Sequence, residues 1–149
     1  MVGPTPGRYI IKSFNEEWAI CAHRPKASSQ PGDMILAFKD ADQKYPEHSI
    51  FIADVSVSGQ YAFRNPKTKM YIGSGVDGKG NPTTAWTVTP QYWDVDPAGP
   101  GLWTISMPGA ANAFWYNAFI EGNTWAQILL AENQNIMQYY WIFVGASSQ

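Results

Sequence analysis

The chain of 149 residues is 45% hydrophobic and 15% aromatic, enough apolar material for a single domain with a packed core and too much for a disordered chain. Charged residues make up only 15% and the formal net charge is −2; all ten Lys and Arg lie at or before Lys79 without forming a basic stripe, which argues against a nucleic-acid partner. No apolar run approaches the roughly 18 residues of a membrane helix, Met1-Val2-Gly3-Pro4 opens no secretory signal, and Cys21 is unpaired, so a soluble cytoplasmic protein with no membrane partner is expected.

In chain order, Pro4-Thr5-Pro6 is an extended entry. Gly7-Arg8-Tyr9-Ile10-Ile11-Lys12 then sets its large apolar residues two apart, the spacing of a strand, predicted over 8–14. A turn at 15–17 leads into a second strand over 18–23, with Trp18, Ile20 and Ala22 on one face and Cys21 and His23 on the other. Residues 24–32 read as a loop stiffened by Pro25 and Pro31, followed by a strand over 33–38, a polar connection over 39–48 and a strand over 50–55. The plan then recurs, with strands predicted over 60–65, 69–73, 85–89 and 91–96 around a loop dense in turn formers at 75–82. A last set falls over 102–107, 114–120, 126–132 and 139–144. Only 126–130 has a helical look, and it is too short to stand alone as a helix.

The openings Gly7-Arg8-Tyr9, Gly59-Gln60-Tyr61 and Gly101-Leu102-Trp103 repeat after about 52 and then about 42 residues, in the range where internal repeats define architecture. Each unit closes on a second aromatic run: Ser49-Ile50-Phe51, Gln91-Tyr92-Trp93 and Tyr139-Tyr140-Trp141. Residues 1–149 thus read as one domain of three lobes, about 7–57, 58–97 and 98–149, with Tyr9, Tyr61 and Trp103 as equivalent core residues. Short antiparallel strands must remove their edges, and closure into a barrel does so.

With its Gly-x-Tyr openings and lobe-ending Trp residues, the chain resembles the small fungal β-trefoil proteins: ricin-B-like lectins, mushroom protease inhibitors and the lectin-like light subunit of mushroom tyrosinase. The resemblance implies an all-β β-trefoil of twelve short strands in three pseudo-symmetric lobes. Ricin-B-like lobes end in Gln-x-Trp, which Gln91-Tyr92-Trp93 matches. Gln138-Tyr139-Tyr140-Trp141 has one residue too many, and the first lobe has Ser49-Ile50-Phe51 instead.

Little in the chain points to catalysis. His23 and His48 stand in no metal-ligand spacing, Cys21 and His23 lack an orienting group, and Asp94 and Asp96 sit at a strand end beside Pro97. Gly73-Ser74-Gly75 and Gly78-Lys79-Gly80 lack the helix of a phosphate loop. The expectation is a protein that is not an enzyme and uses no cofactor or metal.

Three kinds of binding remain. A sugar site needs an aromatic platform and amide or carboxylate groups for hydroxyls; Trp125 and Asn123, with Asn133, Gln134, Asn135 and Gln138, supply those types in the third lobe. A protease inhibitor needs a rigid substrate-like loop, and resemblance to the mushroom inhibitors points to Lys26-Ala27 in the loop 24–32, Arg24 being excluded by the Pro25 that follows it. A partner-protein interface is the third: residues 98–149 carry two charged groups, Glu121 and Glu132, amid many rings, and consecutive Phe114, Trp115 and Tyr116 must turn one ring outward. That reading suits a subunit of a larger complex, as the tyrosinase resemblance implies.

Overall fold

The structure, a computed structural model, describes residues 3–13 and 17–146. Phe14, the predicted end of the first strand, and Asn15 and Glu16 of the turn after it lie outside the described residues. The strands are β1 (Gly7–Ser13), β2 (Trp18–Cys21), β3 (His23–Arg24), β4 (Ala27–Ser28), β5 (Leu36–Lys39), β6 (Phe51–Val55) and β7 (Tyr61–Arg64). They continue as β8 (Tyr71–Val76), β9 (Pro82–Thr87), β10 (Asp94–Gly99), β11 (Leu102–Ser106), β12 (Phe114–Asn117), β13 (Trp125–Ala131) and β14 (Trp141–Gly145). One short helix, α1 (Ala41–Lys44), and 3-10 turns at Pro46–His48 and Met137–Tyr139 complete the described elements.

Six strands close into a barrel. β1 pairs antiparallel with β6 on one side and β14 on the other, and β6 pairs with β7. Tyr61 exchanges both backbone hydrogen bonds with Trp93, at 2.8 and 2.7 Å, joining β7 to the residue that leads into β10. β10 pairs with β11, and Trp103 opposite Trp141 joins β11 to β14. Closure leaves this ring without a free edge to recruit another chain. The remaining long strands form three hairpins, β2 with β5, β8 with β9 and β12 with β13. They meet one another where β13 pairs with both β5 and β9 and Met34 bridges Ala85.

The core is held by rings. Trp115 meets Trp93 and Trp141 edge to face, at centroid separations of 5.3 and 5.8 Å, and Phe63 at 5.6 Å. All four of these side chains have no solvent exposure. The indole N–H of Trp93 donates to the Ile72 carbonyl of β8 and that of Trp141 to the Trp115 carbonyl of β12, so both tryptophans anchor in the same way to the first strand of a hairpin. Phe51 occupies the corresponding place in the first unit without a donor and stacks on Trp86. The extra residue before Trp141 is absorbed by the 3-10 turn Met137–Tyr139.

Three expectations are corrected. Twelve strands do join into one sheet, but residues 23–28, read as strand end and loop, form a further two-stranded ribbon, β3 with β4. The polar connection over 39–48 contains α1 and a 3-10 turn, and Ala41 of α1 is fully buried over the outer face of β2 and β5, against Ala19, Cys21, Leu36 and Phe38. Of the three opening aromatics only Tyr61 is buried in the core; Tyr9 and Trp103 are half-buried and pack against it from outside. Residues 126–130 are strand, as expected, with the alternating burial of one outward and one inward face.

Candidate functional site

The outward side chains of β13 are Trp125, Gln127, Leu129 and Ala131, and the inward ones, Ala126, Ile128 and Leu130, are buried. Trp125 opens the strand after the turn at Glu121 and Gly122, where Gly122 has φ +94 and Asn123 N–H donates to the Ile120 carbonyl at 3.0 Å. On the other side Lys39 N–H donates to the Thr124 carbonyl at 3.0 Å, and Trp125 stands opposite Phe38 in the β13–β5 register. The backbone around the ring is thus tied on both sides, yet Trp125 keeps 41% of its surface exposed.

The indole stands between two grooves. One, of about 240 Å³, is lined by Arg24, Pro25, Met34, Leu36, Trp125 and Gln127. The other, of about 120 Å³, runs along Ala118, Ile120, Asn123, Trp125, Ala126 and Gln127. Ile120 and Phe119 are themselves exposed, at 65% and 37%, so the surface combines a projecting ring, apolar neighbours and carboxamides. Arg24 is the charged residue of the larger groove; its Nε lies 3.3 Å from Asp33 Oδ2, which also accepts the Gln30 N–H at 2.8 Å. Asp33 thereby holds both the base of the ribbon and the guanidinium in place.

A larger concavity of about 530 Å³ lies between residues 55–59 and the strand carrying Asp94 and Asp96. It holds two carboxylates and two serines but no ring, so it lacks the apolar platform a pyranose needs. For that reason the smaller Trp125 surface is the stronger candidate.

The sequence-predicted polar set divides. Asn123 is half-buried and lines the small groove beside Trp125. Asn133, Gln134, Asn135 and Gln138 follow the opposite end of β13, roughly 20 Å away by the rise of a strand. There Asn133 Oδ1 accepts the Asn135 N–H at 2.8 Å, Gln134 donates to the Glu132 carbonyl, and Asn135 sits at φ +56, so two of these amides shape their own turn. Gln138 lies in the 3-10 turn before β14. These four are therefore not gathered around the indole. Lys26 and Ala27 are exposed, with Ala27 paired to Arg24 so that Pro25 and Lys26 form a two-residue hairpin tip. Of the residues that sequence reasoning missed, Gln127 is marked by its two-residue offset from Trp125; Arg24 and Met34 carry no such signal, since only the β13–β5 pairing and the ribbon bring them there.

The histidines and the thiol have structural surroundings. His23 stacks on Tyr45 at 4.1 Å and meets His48 edge-on at 4.8 Å, and His48 Nε2 hydrogen-bonds Ser28 Oγ at 2.8 Å. Burial pushes the Cys21 thiol up to about 11 against smaller opposing hydrogen bonds from Ser49 and the His23 backbone, so it stays protonated and is a poor nucleophile at neutral pH. Among the described residues no group of three or more His, Cys, Asp or Glu side chains is placed to hold a metal ion, and no helix is long and apolar enough to cross a membrane.

No family model matches the sequence, and no curated protein does. Solved structures match over nearly the whole chain, and the class they define is all-β: a closed barrel with further strands, similar to proteins of the β-trefoil fold. The Rhizoctonia solani agglutinin shares 14% identity at TM-score 0.76, covering 98% of this chain and 99% of its own. The Macrolepiota procera ricin B-like lectin, solved with lactose, shares 11% at TM-score 0.77, covering 98% and 100%. A designed 3-fold symmetric protein, ThreeFoil, shares 11% at TM-score 0.75, covering 94% and 99%. The resemblance to small fungal ricin-B-like β-trefoils thus holds in architecture.

Proposed function

We propose that this protein is a lectin-like carbohydrate-binding protein without catalytic chemistry of its own, and that its ligand surface is centred on Trp125. The observation that carries this reading is the ring itself: a half-exposed indole, braced by backbone hydrogen bonds on both sides, standing between two grooves that offer the carboxamides of Asn123 and Gln127. An indole face covers the C–H face of a pyranose, and fixed amides satisfy its hydroxyls. Likeness in fold to two fungal lectins supports the reading. The test is a glycan array probed with the wild-type protein and with Trp125→Ala. Selective glycan signals that disappear in a folded Trp125→Ala variant support the reading, and a blank array sinks it.

A second reading rests on Phe119 and Ile120, exposed next to Trp125 in the charge-poor last third of the chain. It makes the same patch a contact for a partner protein, with the chain as a subunit of a larger complex. A blank array together with a defined complex lost on Trp125→Ala would favour it.

A further inference from the structure

The larger groove beside Trp125 differs from the smaller one in a single respect that bears on ligand chemistry: a guanidinium forms part of its wall. Arg24 is placed there by the ribbon, where it pairs with Ala27 two residues beyond the buried Ala22, and by Asp33, which engages its Nε at 3.3 Å. Nearly half of the side chain, 45%, remains in solvent, and no other ion pair occupies it among the described residues. An arginine held through Nε presents its two terminal nitrogens as a planar fork, the geometry that matches a carboxylate with two parallel hydrogen bonds. Across the groove are the indole of Trp125 and the carboxamide of Gln127, while Pro25, Met34 and Leu36 complete an apolar floor. Arg24 is the one charged residue among those lining the groove, and the Asp33 carboxylate that pairs with its Nε lies outside that lining.

We propose that the sugar bound at Trp125 is acidic: a pyranose bearing a carboxylate, its ring laid on the indole and its carboxylate on the terminal nitrogens of Arg24. The inference rests on the lectin reading and deepens it. Sialic and uronic acids share this chemistry, and they differ in where the carboxylate sits on the ring. The smaller groove on the other side of the indole, with Asn123 and exposed Ile120, receives the neighbouring neutral sugar, so the ligand spans the tryptophan rather than ending at it.

The test uses the full chain and three probes measured by titration calorimetry: a sialic-acid-terminated oligosaccharide, a uronic-acid-terminated one, and their neutral counterpart. The expected result is that at least one acidic probe binds about tenfold or more tighter than the neutral one, the scale of a charge-assisted hydrogen-bonded pair. The preference should shrink as sodium chloride is raised. Arg24→Gln should abolish the preference, while Arg24→Lys, which keeps the charge but not the fork, should retain part of it. Circular dichroism of both variants guards against loss of the ribbon through its Asp33 pair. Neutral and acidic probes bound alike, both lost on Trp125→Ala, would overturn the acidic-ligand inference and leave the lectin reading intact. An acidic preference that survives in folded Arg24→Gln would also overturn it. If no probe binds and the glycan array is blank, the lectin reading falls and takes this one with it.

Discussion

At the scale of single residues, exposure separates two kinds of tryptophan. Trp125 is 41% exposed, whereas Trp93, Trp115 and Trp141 have none of their surface in solvent. Trp125→Ala is therefore expected to weaken glycan binding at least about tenfold, as truncation of an aromatic hot spot does, while its urea midpoint stays near wild type. Trp115→Ala removes a fully buried ring that touches two other tryptophans and should lose roughly 3–5 kcal/mol in urea denaturation. His48 offers a pH test. Its imidazole titrates below the ordinary range because it is partly desolvated, and because His23 and Lys67 repel a proton more than Glu47 attracts one. As pH falls past about 6.5 the unfolded chain takes up that proton before the folded one does. Stability from this group is thus complete above that pH, declines toward the lower folded value and then levels off. His48→Gln, which can still meet Ser28, should show a smaller fall in Tm between about pH 7 and pH 5 than wild type.

At the scale of elements, two turns show how local chemistry positions the surface. The β7–β8 turn is organised by buried Asn65: its Oδ1 accepts from Thr68 N–H and Oγ1, and its Nδ2 donates to the carbonyls of Glu47 and Ile50. Asn65→Ala would remove the four hydrogen bonds of a fully buried side chain and is expected to lose roughly 2–4 kcal/mol, read by thermal or urea unfolding. The β3–β4 ribbon bears on the inhibitor reading, because pairing of Arg24 with Ala27 puts Lys26 in the two-residue hairpin tip and the Lys26-Ala27 bond at the turn instead of in an extended segment. A protease cleft takes an extended peptide. The full chain is accordingly expected to leave trypsin activity unchanged at micromolar concentration; tight inhibition lost on Lys26→Ala would reverse this.

At the scale of the whole molecule, stability is shared around a ring. β14 is paired on both sides, with β1 along five residue pairs and with β11 at Trp103, and it carries the buried Trp141. Removing it would open the barrel between β1 and β11 and strip a wall from the tryptophan core. A chain ending at Tyr140 should therefore show no native near-ultraviolet circular dichroism and no cooperative unfolding, since the remaining hairpins lean on one another rather than standing alone. The same mutual support carries the candidate site: β13 pairs with β5 from the first part of the chain and β9 from the middle, and only this arrangement sets Arg24 beside Trp125.

Local pattern determined most of the architecture. Two-residue apolar spacing, glycine turns and the recurring aromatic openings and closings specify alternating strands, because the pleat sends successive side chains to opposite faces wherever it occurs. The same alternation marks Trp125 and Gln127 as outward neighbours. What the pattern could not determine is anything that depends on which strands meet. Asn133, Gln134, Asn135 and Gln138 are close to Trp125 in the chain but lie beyond the far end of a strand whose rise separates them, while Arg24 and Met34, about a hundred residues upstream, lie in its groove. Pairing of β13 with β5 is a long-range choice made by the closed core, and hydrogen bonding between strands leaves no trace in the spacing of either one.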